Sequence, residues 1–259
     1  MCLVNFHYDE HPNYKLIVAA NRDEFYDRPT APADFWEDHL ELVAGRDLLH
    51  LGTWLGVTKS GRFAALTNYR DPAEFGVKKQ SRGDIVKEFL VGEHSPVEFL
   101  ERLQVKKDDY AGFNVIVGDA DTLFYYSNKQ DEIKKIAAGT YSLSNHYLNT
   151  PWPKVTKGKS RLRDYVVQHE TIETDRLFNL LNDGEVASDE LLPDTGVGIE
   201  LERQLSPLFI KTPNYGTRSS TVLLIDRQQN IIFVERTYVK GELTEENKFF
   251  LSKEVAHLE

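Results

Sequence analysis

The chain of 259 residues is 41% hydrophobic and 28% charged, a composition that supports a sizeable core and excludes disordered and fibrous classes. Its 31 Lys and Arg stand against 41 Asp and Glu, a formal net charge of −10. That field repels phosphate backbones, so no nucleic-acid partner is expected. The best basic run, Lys154 to Arg163, reads as a solvated helix start.

The opening MCLVNFHYDE has no basic segment and no apolar core of the kind a secretory signal needs. The longest apolar stretch near it, Leu16 to Ala20, is too short to span a bilayer, so no transmembrane segment is expected. A single cysteine leaves no internal disulfide and fits a reducing cytoplasm, the expected location. With no Pro/Ser linker and no fixed-period repeat, residues 1–259 read as a single domain.

Cys2 to Tyr8 alternates, with Cys2, Val4 and Phe6 on one face, as a half-buried strand does. His11-Pro12-Asn13 turns the chain into a returning apolar strand, Tyr14 to Ala20. Gly52 to Lys59 and Arg62 to Asn68 form a second hairpin around Ser60-Gly61. Helical spacing follows at Gly83 to Val91 and at Pro96 to Leu103, the latter capped by Ser95. Phe113 to Gly118 and Thr122 to Ser127 make a third hairpin through Asp119-Ala120-Asp121, and Tyr141 to Ser144 a short strand. Helices are predicted at Ser160 to His169, Asp175 to Leu181 and Ile199 to Leu205, before a last hairpin of Ser220 to Asp226 and Ile231 to Arg236.

Hairpins dominate, so the sheets are mostly antiparallel. Leu16 to Ala20 and Val222 to Ile225 are apolar on both faces and need cover on both. The simplest solution is an α+β fold of four layers, an αββα sandwich.

Cys2 is the sole thiol, and removal of Met1 would make it the chain terminus. An α-amine near ~8 can accept the proton of a thiol near ~8.5 at small cost, which places nucleophile and base on one residue. A small buried hydrophobe is the alternative reading of the same cysteine. Asn21-Arg22-Asp23-Glu24 closes the strand that returns past Cys2, about ~5 Å from its hairpin partner. An Arg/Asp pair there would lower the thiol pKa and orient the amine; a surface ion pair is the alternative. Extended, the segment puts Asn21 and Asp23 on one face and Arg22 and Glu24 on the other. Asn68 and Asn145 sit at strand ends, where a neutral amide can hold an oxyanion or simply form a turn. Arg218 precedes a strand, placed to pair with Asp23 or a substrate carboxylate, or to lie on the surface. Phe25, Tyr26, Phe35, Trp36 and Trp54 line a pocket mouth or pack in the core. His7 and His11 straddle a strand and a turn, so no metal site is expected from them.

The MCLVNF start, the Asn21-Arg22-Asp23-Glu24 tetrad, Gly52-Thr53-Trp54-Leu55-Gly56-Val57, Thr67-Asn68-Tyr69-Arg70 and Tyr215-Gly216-Thr217-Arg218-Ser219-Ser220-Thr221 together resemble the NRDE family, from residue 1 to about residue 238. The resemblance implies an αββα N-terminal-nucleophile hydrolase fold and roles in secretory organisation, lipid metabolism and haem trafficking. The chain is more remotely similar to the choloylglycine hydrolase and penicillin V acylase group. There the matching positions are Cys2, Arg22, Asp23, Asn68, Asn145 and Arg218. That group separates its early Arg and acid, whereas Arg22 and Asp23 are adjacent, so Asn21 is a second candidate for the place of the Arg.

Two functions follow from the resemblance. One is an amidohydrolase acting on a non-peptide C–N bond of a small acyl compound, without a cofactor. The other is a non-catalytic carrier of haem or an acyl-lipid ligand on the same fold.

Overall fold

The computed structural model describes residues 2–74, 79–119 and 121–252. Met1 and the Ala120 position of the third hairpin lie outside the described residues. In chain order the strands are β1 (Cys2–Tyr8), β2 (Tyr14–Phe25), β3 (Thr30–Trp36), β4 (His39–Asp47), β5 (Leu55–Thr58), β6 (Phe63–Asn68), β7 (Phe113–Gly118), β8 (Leu123–Ser127), β9 (Glu132–Lys135), β10 (Gly139–Leu143), β11 (Tyr215–Asp226), β12 (Ile231–Val239) and β13 (Glu242–Leu251). The α-helices are α1 (Gly83–Val91), α2 (Pro96–Val105), α3 (Pro153–Gln168), α4 (Thr174–Leu181) and α5 (Ile199–Leu205).

One sheet runs β10-β1-β2-β11-β12-β13, and the second is a meander from β3 to β9. Neighbouring strands in both are antiparallel. α1 and α2 cover the second sheet, while α3 and α4 cover the first. The result is the four-layer αββα sandwich that the two-faced apolar strands require.

Strand alternation sorts side chains between the layers. Cys2, Val4 and Phe6 of β1 and Val18 and Ala20 of β2 face the second sheet, where Val57, Phe63 and Tyr125 meet them. Ile17 and Ala19 face the other way, onto Leu162, Val166 and Leu177 of α3 and α4. A separate apolar layer under α1 and α2 holds Val86, Phe89 and Leu100 against Val115 and Val117.

Several boundaries differ from the sequence expectation. β2 runs on to Phe25, because β11 pairs with it as far as Tyr215↔Phe25 and satisfies its backbone. The Asn21–Glu24 tetrad is therefore strand, not strand end. β3, β4, β9 and β13 were not expected; polar or irregular patterning hides them. α3 begins at Pro153, a first-turn proline, seven residues before the expected Ser160. The Lys154–Arg163 run is accordingly not a wholly solvated face: Lys154 and Val155 are buried.

Gly158 is where α3 meets β1. An added Cβ would lie 2.5 Å from Asn5 Oδ1. Asn5 cannot yield easily, since Ser142 Oγ donates to its Oδ1 at 2.7 Å and its Nδ2 donates to Ala19 O. The two sheets are tied by Glu235 on β12. Its Oε1 accepts from Ala33 N of β3 at 2.7 Å, and Thr221 Oγ1 lies 3.4 Å from Oε2. Burial pushes the Glu235 carboxyl up to about 7, against the pull of these donors and of Arg22.

Two outcomes follow from these contacts. Gly158→Ala destabilises the fold by about 1–3 kcal/mol in denaturant unfolding despite the better helix propensity of Ala, because the contact is overpacked. Glu235 has a folded pKa above its unfolded one, so its contribution to stability is full below pH 4.5 and lost as pH rises through about 7. Between those limits the unfolding free energy of Glu235→Gln gains about 3 kcal/mol on that of wild type, measured as a pH series of unfolding curves. A constant difference across the series contradicts the assignment.

Candidate active site

The pairing of β1 with β2 sets Cys2 opposite Arg22. β11 continues the row with Ser219 opposite Arg22, and β12 with Thr237 opposite Ser219. Between Thr217 and Ser219 the register slips by one residue. That bulge at Arg218 re-aims the chain at the end of the sheet, as bulges do beside sites. The second sheet closes the space with Trp54, with Asn68 at the end of β6, and with the start of α1. Gly52 permits this closure: a Cβ there would lie 2.6 Å from the Gly83 carbonyl carbon. The cavity between the two sheets opens to solvent and holds about 310 Å³, and Cys2, Arg22, Asp23, Asn68 and Arg218 all line it.

The other two candidate residues sit elsewhere. Asn145 is fully buried behind Asn68; its Nδ2 donates to Asn68 O at 2.8 Å, and its carbonyl accepts from Arg70 N at 2.7 Å. One N–H of its amide thus holds the Asn68 main chain. Asn21 faces the helical layer, donating to Leu208 O at 2.8 Å and accepting from Ser220 Oγ at 2.6 Å. It lies on the face opposite Cys2, so Arg22, not Asn21, stands beside the thiol.

Arg218 does not pair with Asp23. Its Nη1 donates to the carbonyls of Phe25, Tyr26 and Arg28, clamping the turn after β2. Asp23 Oδ1 instead accepts from Thr217 Oγ1 at 2.8 Å. Of the aromatic group, Trp54 lines the cavity. Phe25 is exposed, Trp36 packs under α1 and α2, and Phe35 stacks edge-on against Phe249. His7 Nδ1 engages Thr140 Oγ1 and His11 Nε2 engages His169 O.

The electrostatics correct one expectation. Burial pushes the Cys2 thiol up, and Asp23 pushes the same way, while Arg22 pulls it down. The thiol is therefore not held as a ready thiolate. Asp23 is also pushed up by burial, offset first by the Lys154 ammonium. Lys154, on the first turn of α3, is fully buried, and burial brings it down to about 8 against the favourable field of Asp23. Beside them Arg70 Nη1 pairs with Glu202 Oε2 at 2.5 Å, both buried, and the Arg70 guanidinium sits 4.7 Å from the Trp152 ring centre.

Lys154, Arg82 and Glu235 escaped the sequence reading, and each left a signal. Pro153 marks a first helical turn, which puts Lys154 between apolar Trp152 and Val155. Arg82 is a cation at a helix start, against the dipole. Glu235 shares the period-two face of Ile231 and Phe233. Among the described residues no helix is long and apolar enough to cross a membrane, and no His/Cys/Asp/Glu group is arranged to hold a metal ion.

The family model described as Transport and Golgi organisation 2 matches residues 1–240. The chain is 35% identical over 265 residues to the Transport and Golgi organization protein 2 homolog of Bos taurus, covering 94% of this chain and 95% of the relative. It is 29% identical to the Transport and Golgi organization protein 2 of Drosophila melanogaster, covering 92% of each. Among solved structures, a mutant of the conjugated bile acid hydrolase from Clostridium perfringens superposes with a TM-score of 0.54 at 10% identity, over 96% of this chain and 92% of that one. That last likeness is of fold alone, the layered arrangement of two antiparallel sheets between helices. The sequence matches go further: the chain belongs to the Transport and Golgi organisation 2 family.

Proposed function

We propose that the protein is an N-terminal-cysteine amidohydrolase that cleaves a non-peptide C–N bond of a small acyl compound. The observation that carries this reading is the position of the only thiol. Cys2 lies on a cavity of about 310 Å³ that Asp23 and Asn68 also line. The fold neighbour's name, a hydrolase of conjugated bile acids, is of the same reaction class.

With Met1 removed, the Cys2 α-amine lies on the residue that carries the thiol. Because the thiol is pushed up by burial, its proton must leave as sulfur attacks, and the α-amine receives it. The S–C bond forms at the substrate carbonyl, and the charge that develops on oxygen falls to the Asn68 amide. As the C–N bond breaks, the amine passes the proton to the leaving nitrogen. Water then cleaves the thioester, returning the thiol and releasing the acid. Asp23 holds the amine in place; burial pushes its carboxyl up, and the Lys154 ammonium opposes that push.

A carrier of haem or an acyl lipid in the cytoplasm is the second reading. It has less behind it, because sites for such ligands are largely apolar, whereas five Arg and Lys side chains and four carboxylic acids line this cavity.

Intact mass of natively expressed protein is expected to lack Met1, and turnover on a panel of acyl amides is expected to vanish in Cys2→Ala. The same variant keeps ligand affinity within about 1 kcal/mol, since a buried Cys acts otherwise as a small hydrophobe. Asn68→Ala lowers kcat by about 10²–10³. Full activity with Met1 retained, or turnover by Cys2→Ala, overturns the mechanism. Tight haem or acyl-thioester binding with no turnover on any substrate favours the carrier.

A further inference from the structure

Arg22 is a buried cation with capacity to spare. It is 8% exposed and lines the cavity directly across the strand pair from Cys2. Its Nη2 lies 3.8 Å from Glu24 Oε2 and 3.8 Å from Asp47 Oδ2. Among the described residues its Nη1 has no hydrogen-bond partner, although the atom is buried. A guanidinium donor buried without an acceptor is costly, and the cavity is the space into which this side chain projects.

The surroundings bias that space toward an anion. Asp47 is engaged by Arg28 at 2.5 Å and by the main-chain N–H groups of Leu49 and His50. Glu235, which also lines the cavity, is pushed up to about 7 by burial. Arg82 and Arg218 line the same cavity, and α1 begins there, with no side-chain cap on its first turn. The positive end of a helix adds to the field of the cations. Five Arg and Lys side chains against four carboxylic acids, Asp23 and Glu24 among them, line the cavity, so the excess of cations is local to it in a chain whose net charge is −10.

We propose that the cavity recognises a carboxylate-bearing acyl compound, with the carboxylate received by the Arg22 guanidinium beside Cys2 and the field shaped by Arg82, Arg218 and the start of α1. The identity of that compound as a substrate rests on the hydrolase reading; the anion site does not. Arg22 reaches a group only about 5 Å from the Cys2 side chain, so the charge lies close to the bond that is cut. Planar two-point pairing makes Arg the residue suited to a carboxylate there.

The test uses Cys2 itself as reporter. Iodoacetate and iodoacetamide both alkylate a thiolate with loss of iodide, but only the first carries a carboxylate. Their rate ratio cancels the thiol's own pKa. The intact protein is expected to show an iodoacetate-to-iodoacetamide ratio at least tenfold above that of glutathione, falling with added salt. Arg22→Gln brings the ratio back toward that of glutathione, and Arg22→Lys, which keeps the charge, retains most of it. Circular dichroism checks that both variants fold, and protection of wild-type Cys2 from iodoacetate by acetate gives the same answer without a substitution.

A ratio equal to or below that of glutathione, or one unchanged in folded Arg22→Gln, overturns the proposal. So does failure of both reagents to reach Cys2. A raised ratio with no acyl-amide turnover keeps the anion site and removes the hydrolase. Turnover of neutral acyl amides with a ratio like that of glutathione does the reverse.

Discussion

Antiparallel pairing of β1 with β2, from Cys2↔Arg22 at one end to Tyr8↔Leu16 at the other, is the constraint on which the site depends. It joins the chain start to the tetrad and fixes which face each residue takes. Because β2 is central in its sheet, with β1 on one side and β11 on the other, a displacement of either neighbour would break backbone pairs as well as side-chain contacts. The Cys2 end of β1 is held further by Ser144 Oγ, 3.0 Å from Cys2 O, and the Ser144 carbonyl accepts in turn from Thr67 Oγ1. The thiol is thereby set in a frame shared by both sheets.

That frame contains more buried charge than an ordinary sheet interface. Buried ions are tolerated only with partners, and removal of one partner is more costly than absence of both. Asp23 shares its field with Lys154 of α3, with the Arg70–Glu202 pair beside them, and Arg22 lies across the strand pair from Cys2. Lys154 and Asp23 are each driven toward neutrality by burial, and each is the largest force holding the other charged. Such an arrangement adds little net stability. It does keep a carboxylate at a position where an apolar residue would serve the core better, which is a mark of chemistry more than of packing.

Much of this was legible in the residues. The two-faced apolar strands at Leu16 to Ala20 and Val222 to Ile225 announce cover on both sides, and the four layers follow from them. The alternation of Asn21, Arg22 and Asp23 correctly separates the faces of β2. What escaped depends on contacts distant in sequence. β3 and β4 carry Asp34, Glu41 and Arg46 between short apolar pieces, and only the long meander makes them strands. Asn145 has the composition of an oxyanion donor, yet it is fully buried and its amide donates to a carbonyl 77 residues away. Lys154 looks solvated within its basic run until the first turn of α3 buries that side chain. Local pattern does not report which of the three lysines of α3 is buried.

The alternation that separates Asn21 from Arg22 also limits how this strand can change. Strand faces have a period of two, so one residue gained or lost between Leu16 and Arg22 would turn the guanidinium into the helical layer and send its neighbour toward the thiol. The apolar positions upstream would exchange layers at the same step. Single replacements along β2 leave the frame intact, but length variation does not. The tetrad is thus not a movable cassette: its meaning lies in its phase relative to Cys2, and tolerance to insertion should begin only beyond the turn that follows Phe25.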